Sequence, residues 1–467
     1  MMEAKKSKTA EKIFQRVLKN IKPSKAEARE TVYNVNKITS RLKEIVPKSV
    51  EIMVVGSIAR STNLSGDSDV DIFMLFDRNV SRDALSKKGL EYGKMLVDPK
   101  KGESFEIKYA EHPYVRAYFK SGIKADLVPA SKVESAESMA TSVDRTPMHN
   151  EFVNSTITER QRDEVRLLKF LLKAHSIYGA EAKIGGFSGY LCELLIIQFG
   201  SLIGFLEWAA KTKMPVVLYP TMKKVMADDL ETSKKFSRRF VVIDPVDINR
   251  NVAAAVSEES FAKLVLIARS FISKPDISAF YAKGFSSEKT NSMLRKFIGE
   301  SGLDLLMLEF EIKDKSAEIL WPQANKTAYK IEDILEKNGF AINFSISWIE
   351  KRNAFILVAM PKQKIGSRLI RGPDVFKTHD TAQFIKKHSA GMGFVIKEST
   401  IYSLEKSRYS DAEKIFRDIA KGKVIEKHKD INLKNAKVYV NRIPERHSGK
   451  VYSELRTKLN LQGFGGQ

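Results

Sequence analysis

The amino-acid sequence predicts an α+β protein of several domains, and three observations lead to this fold class. The chain has 467 residues, enough for roughly three domains of ordinary size. A helical pattern followed by short strand-like runs opens the chain, a mainly helical stretch follows, and strand-like runs then return. We therefore expect a head of sheet and helices over residues 1–150, a helical neck over 151–272, and an α+β body with a basic tail over 273–467.

The head is predicted to begin with a long helix and to continue with strands. Ser24 and Glu27 have the spacing of a capping box, and the helical pattern after them closes at about Ile45, before Pro47. The strand-like runs that follow are residues 51–55, 70–76, 105–109, 114–119 and 122–128.

The neck and the body are predicted from the same periodicities. Three neck helices are expected. The first covers 159–178 with Gly179 as its C′ residue, the second begins after Ser188, and the third covers 258–272 behind a Ser257 cap. Body strands are expected over 305–312, 340–349 and 354–360, with a helix near 328–337. Ser410 and Glu413 resemble a second capping box, before a helix that ends at Ala420.

The charge of the chain indicates a polyanionic partner. Lysine and arginine number 79 against 57 acidic residues, a formal net charge of +22, and residues 401–467 alone carry 15 basic and 8 acidic side chains. Nucleic acid is the leading candidate, ahead of an acidic membrane surface.

Cysteine content and hydropathy indicate a cytoplasmic protein. Cys192 is the only cysteine, which excludes an internal disulfide and a cysteine-rich zinc site and fits a reducing compartment. The charged amino terminus has no apolar run after it and does not look like a secretory signal. The apolar stretch 190–206 contains Glu193 and Gln198 and is shorter than a membrane span of about 20 residues, so we expect one buried helix and no membrane contact.

The segment 54–76 contains the residues best suited to chemistry. Gly56 and Ser57 follow a strand where a short turn or helix begins, so free backbone amides and the Ser57 hydroxyl could receive a phosphate. Arg60, one turn later, adds a positive charge. An ordinary tight turn is the alternative for the Gly-Ser pair.

Three aspartates form a candidate metal site. Asp69 and Asp71 are two residues apart in a strand, so both carboxylates face the same side, and adjacent like charges favour a cation between them. Mg²⁺ takes oxygen ligands of this kind, usually together with substrate phosphates. Asp126, in an alternating apolar strand, could complete a centre in which two Mg²⁺ ions clamp an in-line phosphoryl displacement. Solvated or satisfied strand-end carboxylates are the alternative.

The pattern Gly56-Ser57, Asp69-x-Asp71 and a distant Asp126 resembles the catalytic head of the DNA polymerase β-like nucleotidyltransferase superfamily. Further segments look like the archaeal, class I, CCA-adding tRNA nucleotidyltransferases: YAEHPYV (109–115), SVDRTPMH (142–149), EVRLLKFLLKAHSIYGAE (164–181), GGFSGYLCELL (185–195) and DPVDINRNVAA (244–254). The likeness is specific through residue 272 and looser beyond it. It implies a polymerase β-like head, a helical neck, and body and tail domains.

The resemblance also implies roles for the matching residues. Asp69, Asp71 and Asp126 would hold two Mg²⁺ ions, and Asp126 would help to activate the terminal ribose hydroxyl of tRNA. Some relatives have glutamate in place of Asp69, which conserves the charge. The residues implied in binding CTP or ATP are Gly56, Ser57 and Arg60 at the phosphates, His112 and Thr146 in the pocket wall, His149, Lys169 and Tyr178 along the triphosphate, and Arg250 at the base.

The residues themselves leave several alternatives open. His149 could be an ordinary loop histidine, and Lys169 could be a solvated lysine. Lys169 and Tyr178 are nine residues apart, so they do not share one tight helical face unless the ligand is extended or the helix end bends. Arg250 could instead be paired with Asp244 or Asp247.

A basic run with interleaved aromatics, residues 234–240, could follow an RNA backbone or simply be a charged surface hairpin.

The leading function is the addition of CCA to tRNA 3′ ends from CTP and ATP. A different template-free RNA nucleotidyltransferase, such as a poly(A) polymerase, is the alternative within the same chemistry. An RNA-binding protein with an inactive head is a third possibility, which the intact Asp69, Asp71 and Asp126 oppose. The oligomeric state stays open, with a homodimer as one option.

Overall fold

A computed structural model describes residues 2–109, 113–133, 139, 141–222, 224–227, 230–281, 287–424, 431–434 and 436–458. Two compact units make up the chain. The described residues up to 281 belong to the first unit, and those from 287 onward belong to the second.

The head contains a five-stranded sheet with helices. Its strands are ordered β1-β2-β5-β4-β3, and every neighbouring pair is antiparallel except β2 and β5, which run parallel. All five predicted strands are confirmed within a few residues. The elements are α1 (Met2–Ile21), α2 (Lys25–Ile45), β1 (Glu51–Val55), α3 (Gly56–Ala59), β2 (Asp69–Phe76), α4 (Arg82–Leu96), β3 (Ser104–Tyr109), β4 (Pro113–Tyr118) and β5 (Lys124–Ser131).

The two amino-terminal helices pack in different places. Helix α2 begins at the predicted capping box, in which Ser24 Oγ accepts from the Glu27 amide at 3.1 Å and the Glu27 carboxylate accepts from the Ser24 amide at 3.3 Å. Its buried face joins the core of the five-stranded sheet. The sequence interpretation missed helix α1, whose buried residues belong instead to the core of the following helices, where Phe14 stacks on Phe271 at 5.8 Å.

The next segment combines helices with a sheet that was not predicted. Its order is β7-β6-β8-β9, so the expectation of a mainly helical neck was incomplete. These strands have only four or five residues each, too short for a clear period. The elements are α5 (Thr146–Thr156), α6 (Glu159–Ala174), α7 (Gly189–Phe199), α8 (Leu202–Lys211), β6 (Val216–Tyr219), β7 (Lys224–Ala227), α9 (Leu230–Phe236), β8 (Phe240–Asp244), β9 (Asp247–Asn251) and α10 (Glu258–Ser273).

Helix α6 ends earlier than predicted. It stops at Ala174 instead of Tyr178, and Gly179 is not its C′ residue. The chain reverses here because Tyr178 forms a parallel bridge with Phe187, and the amide of Gly179 donates to the Phe187 carbonyl at 2.8 Å. Tyr178 therefore lies outside the helix that carries Lys169.

The predicted single helix over 190–206 is two helices. Helix α7 ends at Phe199, before the C-cap Gly200, whose φ of +78° suits glycine, and α8 starts behind a Ser201 cap. The buried Glu164 carboxylate accepts from the Leu202 amide at 3.0 Å and holds the break. Among the described residues no single helix is long and apolar enough to cross a membrane, although α7 and α8 together, bent by 89°, have the length and composition.

The second unit is α+β, as predicted, with one four-stranded and one three-stranded antiparallel sheet ordered β11-β12-β10-β16 and β13-β15-β14. Strands β10, β11 and β12 confirm the predicted runs, whereas the three-stranded sheet was missed. The elements are α11 (Ser287–Glu300), β10 (Leu303–Glu311), α12 (Ala317–Lys337), β11 (Phe344–Glu350), β12 (Asn353–Pro361), β13 (Ser367–Asp374), α13 (Thr378–Lys387), β14 (Gly393–Lys397), β15 (Thr400–Lys406), α14 (Ala412–Ala420), β16 (Lys437–Val440) and α15 (Glu445–Lys458).

The four-stranded sheet is buried on both faces because alternate residues of β10 enter different cores. Leu306, Leu308 and Phe310 join α12 and α14 on one face, whereas Leu305 and Met307 join α11 and α15 on the other. The predicted Ser410 cap was wrong. Asp411 is the N-cap of α14, and its carboxylate accepts from the Lys414 amide at 3.0 Å, which the shorter serine hydroxyl one residue earlier does not do.

Candidate active site

The parallel pairing of β2 and β5 brings the predicted carboxylates together. Asp71 lies directly opposite Asp126 in the register, and Asp69, two residues earlier, lies opposite Lys124. Arg116, on the other neighbour of β5, holds Asp126 through two hydrogen bonds of 2.6 Å each. The sequence interpretation did not name Arg116, although an acid in an apolar strand requires a partner.

The charge on Asp71 is unfavourable in this structure. Burial raises the pKa of Asp71 to about 6, and the neighbouring carboxylate of Asp126 adds to the rise, while the positive charge of Arg60 opposes it. Asp69 differs, because its side chain is 73% exposed, and Lys124 Nζ lies 3.9 Å from its Oδ1. Asp71 is therefore the acid of this group that has most to gain from a nearby cation.

Gly56 lies against Asp71 and cannot be replaced without a shift. Its φ is +79°, and a Cβ atom built on it would lie 2.1 Å from Asp71 Oδ2. The four-residue helix α3 starts here, as the sequence predicted, and the half-buried Ser57 is its second residue. The glycine thus permits the close approach of the turn to the acid.

Arg60 and Lys169 meet at a buried acid. Glu193, on α7, is fully buried, and Arg60 Nε lies 3.1 Å from its Oε1 and 2.9 Å from its Oε2. The Thr62 hydroxyl donates to Glu193 at 2.6 Å, and Lys169 Nζ donates to the Thr62 carbonyl and hydroxyl at 3.0 Å. The alternative of a solvated Lys169 is wrong, since the side chain is buried and burial lowers its pKa.

The turn that follows Ser57 is fixed by two further arginines of α6. Arg166 donates to the carbonyl of Asn63 at 2.9 Å and to that of Ser61, and Arg162 donates to the carbonyl of Arg60. Backbone acceptors of the head are therefore satisfied by side chains of the neck.

Lys169 and Tyr178 lie together despite their sequence spacing. A Cβ atom built on Gly189 would lie 3.2 Å from the Tyr178 hydroxyl and 3.8 Å from Lys169 Nζ. The two side chains therefore meet at the first residue of α7, because the chain turns back after α6 and carries Tyr178 to this position.

A second buried acid, Asp244, connects His149 and Arg250. Its Oδ2 lies 2.9 Å from His149 Nε2 and accepts from Arg250 Nη1 at 2.6 Å, and its Oδ1 accepts from the Tyr190 hydroxyl at 3.1 Å. The ring of His149 stacks on Tyr190 with centroids 4.0 Å apart. His149 lies in helix α5 and not in a loop, so the loop alternative is wrong.

Arg250 lies in strand β9 and makes the ion pair that the alternative interpretation described. Its partner is Asp244, whereas Asp247 pairs with Arg145 at 3.0 Å. The Arg250 side chain stays 34% exposed, so the pairing leaves part of the guanidinium accessible.

The protonation states of this cluster follow from burial and donors. Burial opposes the charge on Asp244, but hydrogen bonds from His149 and Arg250 outweigh it and hold the pKa of Asp244 below its usual value. Burial lowers the pKa of His149 against the opposing effect of Asp244. At neutral pH we therefore expect an ionised Asp244 and a neutral His149 whose Nε2 carries the proton, because a carboxylate only accepts.

The remaining predicted residues are placed only in part. Thr146 is the first residue of α5, one turn before His149, and is half-buried. His112 lies outside the described residues.

The strand carboxylates have the donor chemistry of a divalent metal site. Asp71 and Asp126 are oxygen donors side by side, and the raised pKa of Asp71 reflects a like-charge repulsion that a cation would relieve. Within the part of the chain that the structure describes, no three His, Cys, Asp or Glu side chains are already grouped around one metal position. Arg116 holds both oxygens of Asp126, so Asp126 would exchange this partner for the ion.

Three family models match the chain in sequence order. Residues 35–149 match a nucleotidyltransferase domain, residues 163–281 match the second domain of tRNA nucleotidyltransferase, and residues 301–439 match the C-terminal domain of CCA-adding enzyme. Enzymes of the nucleotidyltransferase family of CCA-adding enzymes are generally dependent on a divalent metal.

Curated relatives match over nearly the whole chain. The CCA-adding enzyme of Methanocaldococcus jannaschii is 36% identical over 445 residues, 92% of this chain and 95% of the relative. That of Archaeoglobus fulgidus is 33% identical over 88% of this chain and 89% of the relative. Solved structures of the Cid1 poly(U) polymerase cover 58% of this chain and 98% of their own at 15% identity, with a TM-score of 0.47. From the family models and the curated relatives, the chain belongs to the CCA-adding enzymes, a family of tRNA nucleotidyltransferases.

Proposed function

We propose that this protein adds C, C and A to the 3′ end of tRNA, taking nucleotides from CTP and ATP without a nucleic-acid template. The observation that carries the proposal is the register of β2 and β5, which sets Asp71 opposite Asp126, with Gly56 at the start of helix α3 directly against Asp71. A phosphate site beside paired carboxylates is what nucleotidyl transfer requires.

In the proposed reaction the ribose hydroxyl oxygen at the tRNA end attacks the α-phosphorus of the nucleotide. One oxygen–phosphorus bond forms, the bond to the β-phosphate bridge breaks, and pyrophosphate leaves. Two Mg²⁺ ions, held by Asp69, Asp71 and Asp126, would neutralise charge on the attacking and leaving oxygens. Asp126 would also help to activate the ribose hydroxyl, because it lies directly opposite Asp71 on the neighbouring strand.

The other predicted residues would orient the nucleotide. Ser57, which follows Gly56 in helix α3, would donate to a phosphate oxygen. Tyr178 and Lys169 would bind the triphosphate from the first turn of α7, where their polar atoms meet at Gly189. Arg250 would read the base, since its exposed donors match acceptor atoms of cytosine and adenine.

Two roles require local rearrangement. Arg60 and Lys169 both lie near Glu193 in the structure. Either side chain could contact a phosphate only through N–H groups that face away from this acid, or after the side chain moves. Thr146, at the start of α5, would line the pocket.

The test is to incubate the protein with tRNA that lacks CCA, Mg²⁺ and labelled CTP and ATP, and to size the product. Addition of three nucleotides, C, C and A, supports the proposal. A long tract from ATP alone would instead support a poly(A) polymerase, and no addition at any Mg²⁺ concentration would overturn the proposal.

A further inference from the structure

Asp244, the last residue of strand β8, is a fully buried carboxylate that accepts hydrogen bonds from four donors. His149 and Arg250 share its Oδ2, while the Tyr190 hydroxyl and the Val246 amide, each at 3.1 Å, share its Oδ1. A buried charge of this kind is stable only with such partners. Nothing in the proposed reaction uses this carboxylate directly.

The contact with Asp244 restrains Arg250 at one end of its guanidinium. In the described part of the chain, the only hydrogen bond of the Arg250 side chain runs from Nη1 to Asp244 at 2.6 Å. The donors on Nε and Nη2 remain available on a side chain that is one-third exposed. Because a guanidinium is planar, fixing Nη1 limits the directions in which the other donors point.

We propose that Asp244 is a positioning residue for nucleotide choice. By fixing Arg250, Asp244 sets the direction in which the free donors meet the base, so that acceptor atoms of C and A are matched and the corresponding donors of U and G are not. The same oxygen also contacts His149. One atom of Asp244 therefore holds both Arg250, proposed to bind the base, and His149, which the resemblance places along the triphosphate. This inference rests on the proposed role of Arg250 in reading the base.

A purely structural role for Asp244 predicts a different result. If the carboxylate only stabilised the fold, its loss would lower the turnover of all four nucleotides equally. A positioning role lowers discrimination, which is the ratio of kcat/KM for CTP to that for UTP, and for ATP to that for GTP. This ratio does not depend on the fraction of folded protein, because inactive molecules reduce both rates by the same factor.

The experiment measures these ratios on one tRNA for the wild type, Asp244→Asn, Arg250→Ala, the double variant and Asp247→Asn. We expect Asp244→Asn and Arg250→Ala each to lower the ratios about tenfold or more, the size of one lost base contact. The double variant should be no worse than the more severe single variant, because both changes remove one function. Asp247→Asn is the matched control, because this acid of the same hairpin pairs with Arg145, and it should keep the ratios of the wild type.

The outcomes separate the inference from the proposed function. If Arg250→Ala lowers the ratios and Asp244→Asn leaves them unchanged, Asp244 is not a positioning residue. If Arg250→Ala itself leaves the ratios unchanged, the proposed base reading by Arg250 fails, and the inference fails with it. Additive losses in the double variant would also overturn the inference, since Asp244 would then act independently of Arg250.

Discussion

Two groups of acidic side chains in the first unit have opposite surroundings. The strand acids, Asp69, Asp71 and Asp126, lie beside one another on β2 and β5, where Arg116 holds Asp126 at 2.6 Å and Lys124 lies 3.9 Å from the exposed Asp69. The buried acids, Glu193 and Asp244, each receive several donors and have no exposed surface.

The pKa values of Asp71, a strand acid, and Asp244, a buried acid, reflect this contrast. Burial and like charge raise the pKa of Asp71, whereas donors lower the pKa of Asp244 although it too is buried. An acid whose negative charge is opposed by its surroundings can recruit a cation, and an acid whose charge is already satisfied can only orient its partners. The strand acids are therefore suited to chemistry and the buried acids to positioning.

The largest expected effect is that of Asp71→Asn. Without this carboxylate the proposed metal ions would lose a ligand, and nucleotide addition should fall about a thousandfold or more. Stability should change in the opposite direction. The folded-state pKa of Asp71 lies above the unfolded value, so ionisation costs stability as the pH rises from about 4 through about 6, and Asn removes this cost.

Single-turnover rates on tRNA and urea unfolding in EDTA at pH 7 measure both effects. Asp77→Asn is the control, because this exposed acid follows the same strand and pairs with Lys132 at 3.2 Å. An Asp71→Asn variant that turns over within tenfold of the wild type would overturn the assignment of a metal ligand. A clear loss of stability would show that Asp71 resembles the buried acids.

Glu193→Gln should have the next largest effect, with the opposite sign for stability. The change leaves Arg60 and Lys169 buried without their negative partner, and breaking such a pair costs about 3–5 kcal/mol. The free energy of unfolding should fall accordingly. Glu207→Gln, an exposed acid on α8, should change it by less than about 0.5 kcal/mol. Equal effects of the two variants would show that Glu193 does not stabilise the buried charges of Arg60 and Lys169.

Gly56→Ala tests whether the position of Asp71 requires the absence of a side chain at residue 56. Gly66→Ala is its match, because both glycines have φ near +80° and Gly66 has nothing within 4 Å of an added Cβ. Both variants should lose about 1–2 kcal/mol of stability from backbone strain. Only Gly56→Ala should also lose about a hundredfold in single-turnover rate, since Asp71 must move. Equal rates in the two variants would show that the Asp71 position is tolerant.

The sequence predicts the local parts of this site well. Strands β1, β2 and β5, the turn at Gly56 and the side-by-side Asp69 and Asp71 follow from apolar runs and a period of two. These features depend on neighbours close in the chain. The sequence predicts that Asp126 could join Asp69 and Asp71, but it does not predict that β2 and β5 pair in parallel with Asp71 opposite Asp126. Pairing between strands that are distant in the chain cannot be inferred from the pattern of either strand alone.

The parts that sequence reasoning missed depend on long-range contacts. Glu193 meets Arg60 across 133 positions, and Asp244 meets His149 across 95. Glu193 could have been found, since a charge inside the apolar stretch 190–206 requires a buried partner. The sequence has no comparable signal for two other features. Strands β6 to β9 are too short to show a clear alternation of apolar residues. The chain reversal that places Tyr178 outside α6 depends on its pairing with Phe187.

The smallest expected effect concerns His149, which is held by the buried acid Asp244. Neutral His149 donates from Nε2 to Asp244, which leaves Nδ1 an acceptor that cannot bind a phosphate oxygen. If His149 contacts the triphosphate, nucleotide binding near neutral pH must therefore take up a proton. Asp244 favours this uptake, whereas burial and the positive charges of Arg250 and Arg60 oppose it. Nucleotide affinity should then fall as the pH rises from 6 to 8, by at most about tenfold per pH unit.

Calorimetry of CTP binding in two buffers of different ionisation enthalpy counts the protons taken up. The terminal phosphate also titrates in this range, near pH 6, so the informative quantity is the difference between the wild type and His149→Gln. We expect the wild type to take up more protons, by a fraction of one, and to have the steeper pH dependence. The same proton uptake in both proteins would show that His149 stays neutral and binds Asp244 alone, which would place it with the residues that orient Arg250 and away from the triphosphate.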